Sequence, residues 1–364
     1  MAHELQERYS KLVLAKIRNE SILKDGFVFN TDYEGSPSAG VVEIPVRDKE
    51  VVVSDYDKAN GVEVTHGDTS YTKLVIDKDK AVNEVIDGYS AQAVPDNLVA
   101  DRLDSAGYSL ATQMDNDGAT VLLAGSTVMN VSSLSKENIY DTIVDIRTAM
   151  SEANIPDDGK RYLLVTPATM ALVLKCDEFV KAYALGDEIK KTGAVGKIAG
   201  FLVKEWNDKT ANLAMIAGHP RYATRCKEFS VPLHIQDLSG SGKYIGASAV
   251  QGRMVYAHKV LRSVAIRSVF SPGSLTMSAA AGSETGKTVV TVSSGGTGTT
   301  YSYKLNPSVR AVYNQTSASY GGTSLTSGTT EVAAKEGDVI EVANISSSKV
   351  VSVGYITVTA SMLR

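Results

Sequence analysis

The apolar positions divide the chain into stretches of different period. In residues 4–24, Leu5, Tyr9, Leu12, Val13 and Ile17 recur at three- and four-residue spacing, which predicts an amphipathic helix ended by Asp25-Gly26. Its stripe is narrow and terminal, leaving two readings: packing on a neighbour, or an ordinary surface helix. Residues 41–76 alternate loosely instead, as in Val62-Glu63-Val64 and Leu74-Val75-Ile76-Asp77, around Asp57-Lys58-Ala59-Asn60-Gly61. Asn-Gly tolerates positive φ, so the pattern predicts a hairpin. Arms of about 16 residues would reach on the order of 50 Å. A lone two-stranded ribbon is marginal in water. Pro45 lacks an N–H and marks an edge, and so long an edge invites aggregation unless it is covered. The competing reading is a compact sheet with a further turn at His66-Gly67-Asp68.

A long helix is predicted next, opened by Pro95-Asp96 and closed by Gly125, with Val99, Leu103, Ala106, Leu110, Met114 and Val121 in one stripe. It would span about 43 Å. Gly107 and Gly118 lie inside it, each costing roughly 1 kcal/mol against alanine, so tertiary support or close packing is expected. A second helix follows Ser135 as N-cap, with Ile139, Ile143, Ile146 and Met150 on one face, and stops at Ile155-Pro156. Residues 160–268 read as an α/β region without a doubly wound repeat. Strands are expected at 161–165, 201–206, 213–216 and 260–269, and helices at 168–175, capped and started by Thr166-Pro167, and at 246–256. From Ser271-Pro272-Gly273 onward, Ser, Thr, Gly and Val dominate. Short β-branched segments at 288–292, 300–305, 339–342 and 350–359 predict a small all-β sandwich on a linker. Low complexity is the alternative, and the regular apolar strands and tyrosines count against it.

Composition narrows the function. The chain has 364 residues, 43% of them hydrophobic, enough for two or three domains. A net charge of −4 marks neither a general nucleic-acid surface nor a polybasic membrane patch, though a local basic surface remains compatible with it. Cys176 and Cys226 are too few for a disulfide framework and make no CxxC site, so two reduced thiols in a cytoplasmic product are expected. The N-terminus lacks an apolar signal core, and no apolar run approaches the ~18 residues of a membrane span.

The catalytic candidates fail one by one. Residues 282–288 (GSETGKT) resemble a phosphate loop, but the spacing is one residue short and a β-branched strand follows where a helix is needed. No GxSxG elbow is present. His3, His66, His219, His234 and His258 include no i, i+4 pair. Cys226 and His234 read as a buried thiol and a structural histidine. Asp55-Tyr56-Asp57 lacks the glycine and glutamate of a calcium loop, and Asp115-Asn116-Asp117 reads as a polar helix face. No catalytic, cofactor-binding or metal residue is expected. The chain reads as a self-assembling structural subunit.

The order of elements resembles the major capsid proteins of tailed bacteriophages, the Hong Kong 97-type fold. The resemblance covers residues 1–270 and rests on 41–46 (VVEIPV), the helix at 95–123, 163–174 (LLVTPATMALVL) and 242–268 (GKYIGASAVQGRMVYAHKVLRSVAIRS). It implies an α+β chain with an N-terminal arm (1–35), an extended-loop hairpin (36–80), a peripheral domain with a spine helix (81–159) and an axial domain (160–270). Residues 271–364 look like an appended immunoglobulin-like β domain. That domain's polar composition and tyrosines lead to an expectation of weak binding to a host surface or polysaccharide.

The resemblance further implies hexamers and pentamers of this chain in an icosahedral lattice around double-stranded DNA, contacted non-specifically. A separate scaffolding protein and a portal are the implied partners. The implied location is the virion capsid, assembled in the host bacterial cytoplasm, with no membrane. Pro45, Arg47, Lys58, Asn60 and Gly61 are the candidate inter-subunit contacts. Lys58, at the tip, is also the position for the covalent crosslink some such phages make, which needs an asparagine and a buried carboxylate that sequence does not place. An encapsulin-like compartment shares the fold, and a phage tail-tube or adhesion protein is the alternative from another class.

Overall fold

The computed structural model describes residues 22–32, 40–46, 53–62, 70–87, 98–176, 196–240, 242–293 and 300–364. In chain order the first elements are β1 (Val41–Val46), β2 (Ser70–Val75), β3 (Lys78–Ile86), α1 (Leu98–Gly125), β4 (Thr127–Asn130) and α2 (Ile139–Glu152). Then come β5 (Tyr162–Val165), α3 (Pro167–Lys175), β6 (Lys197–Ile198), β7 (Phe201–Glu205), β8 (Leu213–Gly218), β9 (Ala223–Asp237), β10 (Ser248–Val260) and β11 (Arg267–Phe270). The last are β12 (Gly273–Ser274), β13 (Met277–Ala281), β14 (Lys287–Val292), β15 (Thr300–Leu305), α4 (Ser317–Tyr320), β16 (Thr323–Leu325), β17 (Glu331–Ala333), β18 (Val339–Ser346) and β19 (Lys349–Thr357). The chain divides into two compact units, Met1–Gly125 with His219–Ser263 and Ser126–Gly218 with Val264–Arg364.

The first unit has three layers. Its middle is the antiparallel sheet β3-β10-β9. Alternate residues of β10 point to opposite faces. Val250, Met254 and Tyr256 pack under α1 against Ala106, Leu110 and Met114. Ala257, with Cys226 of β9, faces the other way and receives Ile44 and Leu74 from the β1–β2 hairpin. The predicted helix at 246–256 is therefore a turn followed, from Ser248, by a strand. A strand covered on both faces loses its apolar–polar alternation, so its period is hidden. β9 was absent from the sequence reading because Pro232 interrupts it. The register slips there, with Arg253 opposite Val231 and Gln251 opposite His234, a bulge that leaves no ladder bond for the missing N–H. The predicted helix at 4–24 falls mostly outside the described residues, and residues 22–24 are not helical.

α1 confirms the long helix through Gly125, where a Cβ would lie 2.6 Å from the Val260 side chain. At Gly118 a Cβ would meet the His258 and Phe29 rings at 3.1 and 3.2 Å. The close packing expected from this mid-helix glycine is therefore present.

The second unit contains the six-stranded mixed sheet β4-β11-β8-β5-β7-β6. β5 is buried at all four positions between antiparallel β8 and parallel β7. α2 buries Ile139, Ile143, Ile146 and Met150. Ser135 is not its N-cap. Asn138 Oδ1 accepts the Ser135 N–H at 2.7 Å and Nδ2 donates to Ser133 O at 3.0 Å. These bonds make 135–138 a turn and delay the helix to Ile139. The strand expected at 260–269 is also two pieces: β10 ends at Val260, a 3-10 turn occupies Ser263–Ala265, and β11 starts at Arg267.

The C-terminal region is mainly β, with the single-turn α4 between β15 and β16. The sheet β12-β19-β18-β15-β16 and the smaller sheet β13-β14-β17 enclose Val290, Val332, Ile340, Val342 and Val358. It does not hang on a linker. Two residues separate β11 from β12, and the Ser271 N–H donates to Asn212 O at 3.0 Å. Tyr313 stacks on Phe270 at 5.7 Å, and its N–H donates to Val131 O at 3.2 Å.

Candidate functional site

The hairpin register sorts its residues onto two faces. β1 and β2 pair as Val41↔Val75, Val42↔Leu74, Glu43↔Lys73, Ile44↔Thr72 and Pro45↔Tyr71. The inward face holds Ile44 and Leu74, each 1% exposed. The outward face presents three cross-strand rows: Val41 beside Val75, the ion pair Glu43–Lys73 at 3.8 Å, and Pro45 beside Tyr71. Tyr71 is 62% exposed and Val75 55%. Among the described residues, fourteen large apolar side chains are exposed, and six belong to the hairpin: Val41, Val53, Tyr56, Val62, Tyr71 and Val75. Exposed apolar side chains are thus concentrated on the hairpin among the described residues.

The tip is built by local chemistry. The Gly61 N–H donates to Asp57 O at 2.8 Å with Gly61 at φ 72°. The Asp57 carboxylate accepts the Ala59 N–H at 2.9 Å and Asn60 Nδ2 at 2.7 Å, bonds that hold its carboxyl below the usual range. Of the candidate contacts, Gly61 and Asn60 thus shape the turn, Lys58 stands exposed on it, and Pro45 lies on the outward apolar face. Arg47 lies outside the described residues, as does the alternative turn at 66–68. The sequence reading missed Tyr71, Val75 and Val41. Their signal is present, because they share the parity of Pro45 across the register.

α1 offers a second unusual surface. From residue 105 to its end, the exposed positions are Ser109, Asn116, Thr120 and Ala124, none of them charged. The Ser109 and Thr120 hydroxyls donate back to Ser105 O and Asn116 O at 2.9 and 3.0 Å. A solvated helix face ordinarily carries charge. Asp115 and Asp117 turn inward instead, correcting their reading as a polar helix face, while Asp104 near the helix start stays exposed. Asp115 accepts from Arg225 Nη2 at 3.3 Å, and Asp117 accepts from Tyr256 Oη at 2.7 Å.

Arg225 is the centre of a buried polar cluster. Its side chain is 2% exposed, donates to His258 Nε2 at 2.9 Å and to Asp25 at 3.3 Å, and lies over the Phe29 ring at 4.6 Å. Lys227 also pairs with Asp25. Burial and then the Arg225 charge lower the His258 pKa to about 3. The ring is therefore neutral and can accept the guanidinium proton. The cluster fastens residues 25–30 to α1 and the sheet. It holds no free nucleophile–base pair, and its polar groups are used on one another.

The loop resembling a phosphate site joins β13 to β14, and the Ser283 N–H donates to Glu331 Oε1 at 2.6 Å. A carboxylate already occupies that donor. Among the described residues, no three His, Cys, Asp or Glu side chains converge to hold a metal ion, and no helix is long and apolar enough to cross a membrane. The C-terminal tyrosines, which motivated the expectation of surface binding, all make packing contacts. Tyr301 and Tyr303 pack on the sandwich core, Tyr313 on Phe270, Tyr355 on the opposite sheet face, and Tyr320 is 1% exposed.

No protein-family model and no curated protein matches the chain. Solved structures do. A chain from Mycobacterium phage Che8 is 21% identical, with a TM-score of 0.60 over 73% of this chain and 96% of that one. A chain in the capsid structure of the cyanophage P-SCSP1u is 13% identical, with a TM-score of 0.62 over 73% and 92%. One from Gordonia phage Cozz is 12% identical, with a TM-score of 0.55 over 74% and 92%. Over nearly three quarters of its length, this chain has the mixed α+β fold of these phage chains.

Proposed function

We propose that the chain is the major capsid protein of a tailed bacteriophage, built on the Hong Kong 97-type fold in residues 1–270 with an immunoglobulin-like domain in 271–364. The observation that carries this reading is the outward apolar face of β1–β2, in a chain that shares the fold of a protein from a cyanophage capsid. Subunits assemble as hexamers and pentamers into an icosahedral shell around double-stranded DNA. A separate scaffolding protein and a portal take part, and assembly occurs in the host bacterial cytoplasm. The shell contacts DNA non-specifically, and the C-terminal domain is displayed outside.

In this mechanism, the Val41–Val75 and Pro45–Tyr71 rows of one subunit lie on the uncharged outer face of a neighbour's α1. Each contact is worth about 25 cal/mol per Å2 of apolar area buried. Individually weak contacts become strong in a closed lattice, because each subunit is held at several places. Lysine tests it directly. Tyr71→Lys with Val75→Lys, in the full-length chain produced with its phage's other head proteins, is expected to leave subunits with unchanged circular dichroism and no shells in electron micrographs. Shells as abundant as those of the unaltered chain would overturn the reading.

A further inference from the structure

β15 and β16 are adjacent and antiparallel, yet residues 306–322 connect them by a long excursion instead of a tight turn. The excursion crosses the face of the five-stranded sheet turned away from β13-β14-β17. There Ala311 and Tyr320 pack on Ala343, Ile345, Val350 and Val353. This is why β18 is buried along nearly its whole length. The same segment reaches the six-stranded sheet. Val312 bridges Ser132, and Tyr313 both stacks on Phe270 and donates its N–H to Val131 O.

Under the excursion lies Glu341, fully buried. Its Oε2 accepts the Ala311 N–H at 3.0 Å. In register it sits between Lys304 and Tyr355. The Lys304 ammonium lies over the Tyr320 ring at 4.7 Å and the Arg310 guanidinium over the Tyr355 ring at 4.9 Å. Glu341 Oε1 and the hydroxyls of Tyr320 and Tyr355 are all buried, and none of the three makes a hydrogen bond of ordinary geometry among the described residues. Burial first, and then the Glu341 carboxylate, push both phenols up, so both keep the proton a carboxylate oxygen can accept. A buried carboxylate is costly unless its surroundings answer it. Sheet packing alone would favour an apolar side chain here. Val309, on the excursion itself, is 71% exposed, so apolar burial does little at that end.

We infer that residues 306–322 are a clasp that fixes the C-terminal β region to the six-stranded sheet, with Glu341 as its pin. The carboxylate holds the Ala311 N–H, and its charge acts on the Tyr320 and Tyr355 phenols beside it. Closing that contact places Val312 and Tyr313 against Val131, Ser132 and Phe270. The clasp thus adds a second attachment, beside the Ser271–Asn212 bond, between the C-terminal region and the rest of its unit.

Deuterium exchange on the full-length chain tests the clasp, comparing peptides that cover 309–316 and 339–346. The Ala311 N–H bonds Glu341 directly, so the first region is read at Tyr313, whose N–H does not, by subtracting overlapping peptides. Glu341→Leu is expected to speed exchange in the first peptide by about tenfold or more, through local opening, while the β18 peptide stays within about threefold. Unchanged exchange at 309–316 overturns the inference. Equal acceleration in both peptides also overturns it, because Glu341 would then support the whole region. Should Glu341→Leu not fold, Tyr320→Phe with Tyr355→Phe removes only the hydroxyls. It is expected to act in the same direction by about threefold, and no change there is likewise fatal.

Discussion

At the scale of single residues, charge that looked solvated in the sequence is structural. Asp115 and Asp117 read as a polar helix face, and both serve the cluster around Arg225. His258 makes that cluster sensitive to acid. Its pKa is about 3 in the fold against an ordinary value of 6.5, so between those values the unfolded chain binds a proton that the folded chain does not. Stability from this group is complete above pH 6.5 and is lost as pH falls, with a slope of up to about 1.4 kcal/mol per unit. Unfolding free energies from urea titrations at pH 7 and 5.5 should therefore differ by about 1 kcal/mol, and His258→Gln should remove most of the difference. An equal drop in the variant would exclude this histidine as the source. Position 258 was visible in the sequence, but its neighbours were not: Asp25, Phe29, Asp115 and Arg225 come from three distant stretches.

At the scale of elements, α1 was legible because its period and its closing Gly125 are local. Its two interior glycines looked equivalent and are not. A Cβ at Gly107 would find Leu233 at an ordinary 3.4 Å, whereas one at Gly118 would press on His258, which Arg225 holds in place. Gly107→Ala should stabilise by about 0.5–1 kcal/mol through helix propensity. Gly118→Ala should gain nothing or destabilise. Thermal unfolding of the two variants settles the comparison, and equal shifts would mean the packing at 118 is soft. β10 was misread as a helix because layers on both sides erase its alternation. β9 escaped notice because Pro232 breaks the pattern at a bulge that only the partner strand reveals.

At the scale of the molecule, the hairpin proves to be two things. Its base is part of the first unit's own core through Ile44 and Leu74, while the tip at 53–62 carries Val53 and Tyr56 exposed at 94% and 74%. Packing of this kind leaves the tip as the part of the hairpin expected to move in a free subunit. In an unassembled subunit, the amides of β1 and β2 should exchange slowly and those of 53–62 quickly, with the tip slowing at least tenfold on assembly. Fast exchange at Ile44 and Leu74 would contradict the observed packing. A tip unchanged by assembly would remove it from the interface. The C-terminal region was expected on a linker, and its attachment at Tyr313 was invisible because Phe270 and Val131 lie far from it in sequence.

The amino-acid order by itself determined what depends on near neighbours: the Asn60-Gly61 turn, the long helix, the Thr166-Pro167 helix start and the β-rich C-terminus. It also placed Pro45 on an exposed edge. Tertiary structure alone decided which face of the hairpin is spent on the subunit's own core, because strand parity gains meaning only when one face meets Cys226 and Ala257. It alone decided that Glu341 is buried under a crossing segment and that Arg225 gathers its acids. Those outcomes depend on which distant residues share a dielectric and a layer, and local pattern carries no record of that.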